Sequence, residues 1–109
     1  ANEVQRRRGP DATNVWSTGE GGVPGARDGG WSFLDNLLSM TGAFTLQPFV
    51  GRDDASGGSV VALFNGEIYN YRELAAELTG RDDAFGSDGM VLLPAYRRWG
   101  LPFVRRLHG

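Results

Sequence analysis

The chain contains no cysteine and no lysine, and its one histidine is His108. Each absence removes a class of chemistry. Without cysteine there is no disulfide, no thiolate metal site and no thiol nucleophile among these 109 residues. A lone histidine excludes a paired-histidine metal site and leaves a serine–histidine–aspartate triad only the C-terminal end to use. No apolar run approaches the roughly 18 residues of a membrane helix, and no signal-peptide pattern opens the chain. An excess of positive charge is missing too. Eleven arginines stand against thirteen acidic residues, for a net charge of -2. That balance argues against nucleic acid or a membrane surface as partner. Lysine-free composition beside 17 glycines reads as a GC-rich coding bias. What remains, at 40% hydrophobic and 22% charged, is one small soluble domain or part of one, expected to be cytoplasmic.

The first half is loose and the second compact. Residues 19–30, GEGGVPGARDGG, hold six glycines and a proline and read as a loop. Residues 51–58, GRDDASGG, have the composition of a connection between two strands. Between them, Trp31 to Met40 supplies a buried strand or a short helix, which periodicity cannot separate over so few residues. Gln47-Pro48 falls at an edge or bend, because proline lacks a backbone donor. Ser59 to Phe64, SVVALF, is a β-branched run ending in the turn dipeptide Asn65-Gly66.

Helical spacing begins at Asn70. Leu74, Ala75 and Leu78 share one face, with Arg72, Glu73 and Glu77 on the other. Asn70 with Glu73 resembles a capping box, and Gly80 is the expected stop. A second helix is expected over about 89–99, with Val91, Leu92, Ala95, Tyr96 and Trp99 apolar and Gly100 ending it. Pro94 falls inside that span and costs about 3 kcal/mol unless the helix bends or starts later. A short helical segment over Pro102 to Leu107 follows. The order strand, strand, helix, helix makes an α+β piece. ANEVQRRR reads as the tail of a helix, and neither end reads as a natural terminus. Two strands and two helices cannot cover both faces of a sheet, so further layers are expected from elsewhere.

Singly, the polar residues have plain readings. Asn65-Gly66 is a turn or, functionally, an oxyanion hole built from a side-chain amide and a backbone N–H. Asp88 after Ser87 is a helix cap or a carboxylate for a substrate ammonium. Glu67 is an exposed acid, His108 a surface residue, and Arg6-Arg7-Arg8, Arg97-Arg98 and Arg105-Arg106 are solvated faces. Taken in order, they carry more. Arg8-Gly9-Pro10-Asp11, Gln47-Pro48, NGEIYNYREL from Asn65 to Leu74, and Ser87-Asp88, with Val91-Leu92-Leu93, Ala95-Tyr96 and Trp99-Gly100 behind them, span nearly the whole chain. Together they resemble the glutaminase domain of asparagine synthetases, a class II glutamine amidotransferase and N-terminal-nucleophile hydrolase.

The resemblance implies a part of the four-layer αββα fold, with an antiparallel sheet and one helical layer. It implies a domain that releases ammonia from glutamine for a synthetase domain or partner subunit, which uses ATP and Mg²⁺ to form an amide; no cofactor is expected in this segment. The family's nucleophile is an N-terminal cysteine whose own α-amino group is the base, well matched at a pKa of about 7.7–8.0. By resemblance Asn65 and Gly66 are the oxyanion donors, and Glu67 and Asp88 recognise the glutamine ammonium.

Three departures stand out. Only seven residues precede Arg8, and Ala1 cannot attack a carbonyl. Residues 1–109 are therefore expected to be a partial domain, lacking the nucleophile strand before them and further strands after. The family's HxRLSI arginine, which pairs with the glutamine carboxylate, falls on Asn36 or Leu37 within DNLLSM, leaving Arg52 as a substitute. The family's SDxE reads Ser87-Asp88-Gly89-Met90, which removes a capping glutamate. The alternative to an ammonia donor is thus a glutaminase-inactive domain kept as a docking or scaffold module.

Overall fold

The computed structural model describes residues 7, 9, 11–17, 32–37 and 42–109. Among the described residues, four strands and two α-helices follow one another in an α+β order: β1 (Ala12–Ser17), β2 (Ser32–Leu37), β3 (Phe49–Arg52), β4 (Ser59–Ala62), α1 (Tyr71–Thr79) and α2 (Leu92–Trp99). Two short 3₁₀ turns, Asp88–Val91 and Leu101–Arg106, flank α2. Within the stretch expected as a buried strand or a helix, residues 32–37 form a strand, with Leu34 exposed rather than buried. The loop at 19–30, the supposed helix tail apart from Arg7, and Arg8 and Pro10 lie outside the described residues.

The single antiparallel sheet expected from the sequence is instead two two-stranded antiparallel ladders among the described residues, β1–β2 and β3–β4. In the first, Val15 opposes Leu34 and Trp16 opposes Phe33, whose ring centroids lie 5.9 Å apart. Strand alternation sends Val15 and Leu34 to an exposed face, while Asn14 and Trp16 are half-buried. β1 escaped sequence reading because ATNVWS carries three polar residues and no long apolar run.

The second ladder closes through the turn read at 51–58. The Asp53 carboxylate accepts from the Ser56 hydroxyl at 2.6 Å and the Ala55 N–H at 3.2 Å. Those bonds, Ser56 first, hold its carboxyl below the ordinary value. Gly57 turns with φ 70°, a left-handed conformation natural to glycine.

Helix α2 packs on both strands of this hairpin, and α1 packs on α2. Ile68, Leu74, Val91 and Leu92 form the buried centre, with Phe49, Ala62 and Phe64 of the hairpin side and Leu78, Trp99, Phe103 and Leu107 packed around it. Burying each large aliphatic side chain there contributes about 1.5–3 kcal/mol. Helix α1 stops at Gly80, whose N–H bonds Ala76 O with φ 79°. The expected second helix over 89–99 is shorter: residues 88–91 wind as a 3₁₀ turn and α2 begins at Leu92. Pro94 then sits in the first turn, where a missing N–H breaks no intrahelical bond. The capping box expected at Asn70 is also corrected, because its side chain makes no cap bond. The arginine pairs are not merely solvated. Arg97 donates two bonds to Arg52 O, at 3.2 and 3.0 Å, across the bare Cα of Gly51. Arg106 bonds Glu77 at 2.9 Å and lies 4.3 Å over the Trp99 ring.

Burial in β2 raises the carboxyl pKa of Asp35. The folded chain therefore binds this proton more tightly than the unfolded one, and Asp35 favours folding at low pH and loses that contribution as pH rises through the raised value. Asp35→Asn is accordingly expected to raise the melting temperature at pH 7, with the gain over wild type vanishing below about pH 4. Thermal melts across that range check the sign.

Candidate functional site

The site is built from the end of β4 onward. Gln47, 6% exposed, lies just before β3 and turns its carboxamide toward Phe64. Its Nε2 donates to Phe64 O and its Oε1 accepts from Phe64 N, both at 2.7 Å. This is the bond pair an antiparallel neighbour would make, supplied by one side chain. Behind it, the Asn14 amide of β1 donates to Gln47 O, tying the first ladder to the same point. Phe64 is thus fixed immediately before Asn65.

Asn65 and Gly66 follow as an exposed turn. Gly66 has φ 150°, within the range that favours glycine, while an added Cβ would find only ordinary contact with the Phe64 ring at 3.6 Å. The need for glycine is conformational rather than steric. Among the described residues, neither the Asn65 carboxamide nor the Gly66 N–H is spent on a hydrogen bond. Glu67 comes next, half-buried, and then Ile68, buried at 3% exposure.

Asp88 reaches this turn from across the fold. Its Oδ2 accepts the Ile68 N–H and its Oδ1 the Gly89 N–H, each at 2.8 Å. A carboxylate offers about four acceptor sites, so two remain. Gly89 permits the approach: a Cβ there would lie 2.6 Å from the Phe49 ring. Asp88 is thus bonded to the residue that follows Glu67, three positions after Asn65.

The remaining sequence candidates lie apart. Asn36 accepts from the Thr13 hydroxyl at 2.7 Å across the β1–β2 ladder. Gly9 of the RGPD string is buried against Asn36 O, and the Asp11 N–H bonds Leu37 O at 3.0 Å, so Gly9 and Asp11 pack against Asn36 and Leu37. Arg52 pairs with Ser59 at the far end of the hairpin, about 10 Å of strand away from Phe49. The hairpin does not bring it to Asn65. A surface hollow of about 430 Å³, lined by Leu78, Thr79, Phe85, Pro94, Arg97 and Arg98, contains none of the candidates. No cluster of three or more metal-ligating side chains occurs among the described residues, nor is any helix there long and apolar enough to cross a membrane.

The family profile of the glutamine amidotransferase domain matches residues 1–109. The chain belongs to that family. A Mycobacterium tuberculosis protein named a glutamine-hydrolyzing asparagine synthetase is 38% identical over 113 residues, covering 100% of this amidotransferase chain and 17% of the relative. Asparagine synthetase (glutamine-hydrolyzing) 1 of Arabidopsis thaliana is 31% identical over 95% of the chain and 16% of its own length. The Gibberella zeae protein named amidase chry2 is 35% identical over 94% and 14% respectively. This amidotransferase domain thus spans 17% of the length of the mycobacterial relative. No solved structure matches it.

The residue that sequence reading undervalued is Gln47, which figures there in the Gln47-Pro48 bend and in the family pattern with no bond assigned to its side chain. Replacing it with leucine leaves the Phe64 N–H and C=O without partners, each at about 1–3 kcal/mol. Gln47→Leu is expected to destabilise the fold by about 3 kcal/mol, read from chemical denaturation midpoints.

Proposed function

We propose that this chain is the ammonia-donating glutaminase part of an asparagine synthetase-like enzyme, in a domain of the four-layer N-terminal-nucleophile type. The observation that carries this reading is the Asp88–Ile68 hydrogen bond, which joins a carboxylate to the loop holding two free oxyanion-type donors. Glutamine would lie with its carboxamide oxygen toward the Asn65 amide and the Gly66 N–H. Its ammonium would face Glu67 and the two open acceptor sites of Asp88.

The roles follow from charge. Attack on the carboxamide puts negative charge on its oxygen, and donors already in place stabilise that charge without reorganising. An ammonium beside two carboxylates fixes the opposite end of the substrate and so sets the distance to the reacting carbon. The attacking thiolate is not among these 109 residues; the reading places it on a nucleophile strand in a larger domain of which this chain is a part. The exposed Val15 and Leu34 face of the first ladder fits such an added layer. ATP and Mg²⁺ belong to the synthetase partner, and no residue of this chain is assigned to them. The cytoplasm is the matching compartment.

A second reading has its own observation. A neutral Asn36, already bonded to Thr13, stands where the resemblance expects an arginine for the glutamine carboxylate. A glutaminase-inactive scaffold would tolerate that change. Glutamate release by the full-length protein separates the two. Wild type is expected to hydrolyse glutamine and Asn65→Ala to lose about 10²–10³ in kcat. Equal rates would remove the oxyanion role, and an inactive wild type would favour the scaffold.

A further inference from the structure

Asn70 begins α1, yet its side chain makes no bond to the helix it precedes. Both ends of its carboxamide go elsewhere. Nδ2 donates to Arg106 O at 2.8 Å, and Oδ1 accepts the His108 N–H at 2.9 Å. Beside it the Tyr69 N–H donates to His108 O at 2.7 Å. The segment from Arg106 to Gly109 is thereby laid along residues 67–70. At Gly109 the approach is so close that a Cβ would fall 1.9 Å from Glu67 O. The other end of this strap is held by Arg106, through Glu77 on α1 and the Trp99 ring on α2.

We infer that Asn70 is a positioning residue for the Asn65–Glu67 turn, acting through the strap it docks. Successive N–H groups leave the loop for two separate elements, Ile68 to Asp88 and Tyr69 to His108. The backbone at Glu67 is bounded by both, and by Gly109 at its carbonyl. A carboxamide is suited to this task because it gives one donor and one acceptor in a fixed plane. Asparagine is short enough to serve the strap and too fully engaged to cap the helix. The proposal deepens the glutaminase reading and rests on it for its kinetic consequence, whereas the structural consequence stands by itself.

Two variants in the full-length protein separate positioning from helix capping. Asn70→Ala removes the bridge; Asn70→Ser removes the bridge but supplies a favourable cap. Both are expected to raise the glutamine KM about tenfold, the scale of one or two net hydrogen bonds, with ammonia-dependent amide formation unchanged. Both should also speed hydrogen exchange at the Ile68 and Tyr69 amides about tenfold, leaving the last turn of α2 unaffected. Wild-type behaviour of Asn70→Ser in KM and exchange would overturn the inference and assign Asn70 to capping. If wild type releases no glutamate from glutamine, the glutaminase reading fails and exchange alone decides. Faster exchange in both variants then sustains the positioning role, and unchanged exchange ends it.

Discussion

One buried carboxamide stands where a strand neighbour would otherwise be needed. Gln47 completes the hydrogen bonding of Phe64 at the point where β4 has ended and the chain must turn. Backbone polar groups in a half-buried segment have to be paired, since each orphan costs free energy comparable to a lost hydrogen bond. Were Phe64 free to rotate, the turn after it would have no defined direction. The Asn14 bond to Gln47 O extends the constraint to the first ladder. Two small sheets that share no strand among the described residues are joined through this residue, by its main-chain oxygen on one side and its carboxamide on the other.

From that fixed point the loop is held by a series of main-chain bonds to side chains. Asp88 takes the Ile68 N–H, Asn70 takes the strap, and only then does α1 begin. Polar groups spent in this way stabilise conformation rather than the helix ends that their sequence positions suggest. The economy is visible in the uncapped start of α1 and in the 3₁₀ turn at Asp88–Val91. Both helices instead draw their stability from packing, with Leu74, Val91 and Leu92 buried against the hairpin.

Much of this was legible in the residues. The apolar spacing of α1, the stop at Gly80 and the hairpin connection at 51–58 follow from local rules that tertiary contacts did not override. Pro94 correctly signalled a late helix start. The order of RGPD, QP, NGEIYNYREL and SD pointed to the family. Other features could not be read locally. β1 lacked an apolar run, and its identity depends on pairing with residues about twenty positions away. The roles of Gln47 and Asn70 are long-range, 17 and 36 residues from their partners, and no periodicity records them. Asn70 was misread because asparagine before a helix is normally a cap, and here a competing acceptor and donor lie within reach. The separation of Arg52 from the turn likewise emerges only from strand register.

Gln47 fixes the loop before Asn65 and Asp88 fixes it after Glu67, and the proposed glutamine site depends on both. A structure of the full-length protein with an unreactive glutamine analogue bound tests it most directly. The expected result is the analogue's ammonium within hydrogen-bond distance of an Asp88 oxygen and its carboxamide oxygen facing the Gly66 N–H, with the Gln47–Phe64 bonds intact. An analogue seated away from Asp88, or a turn at Asn65 that reorganises with those bonds broken, would contradict it.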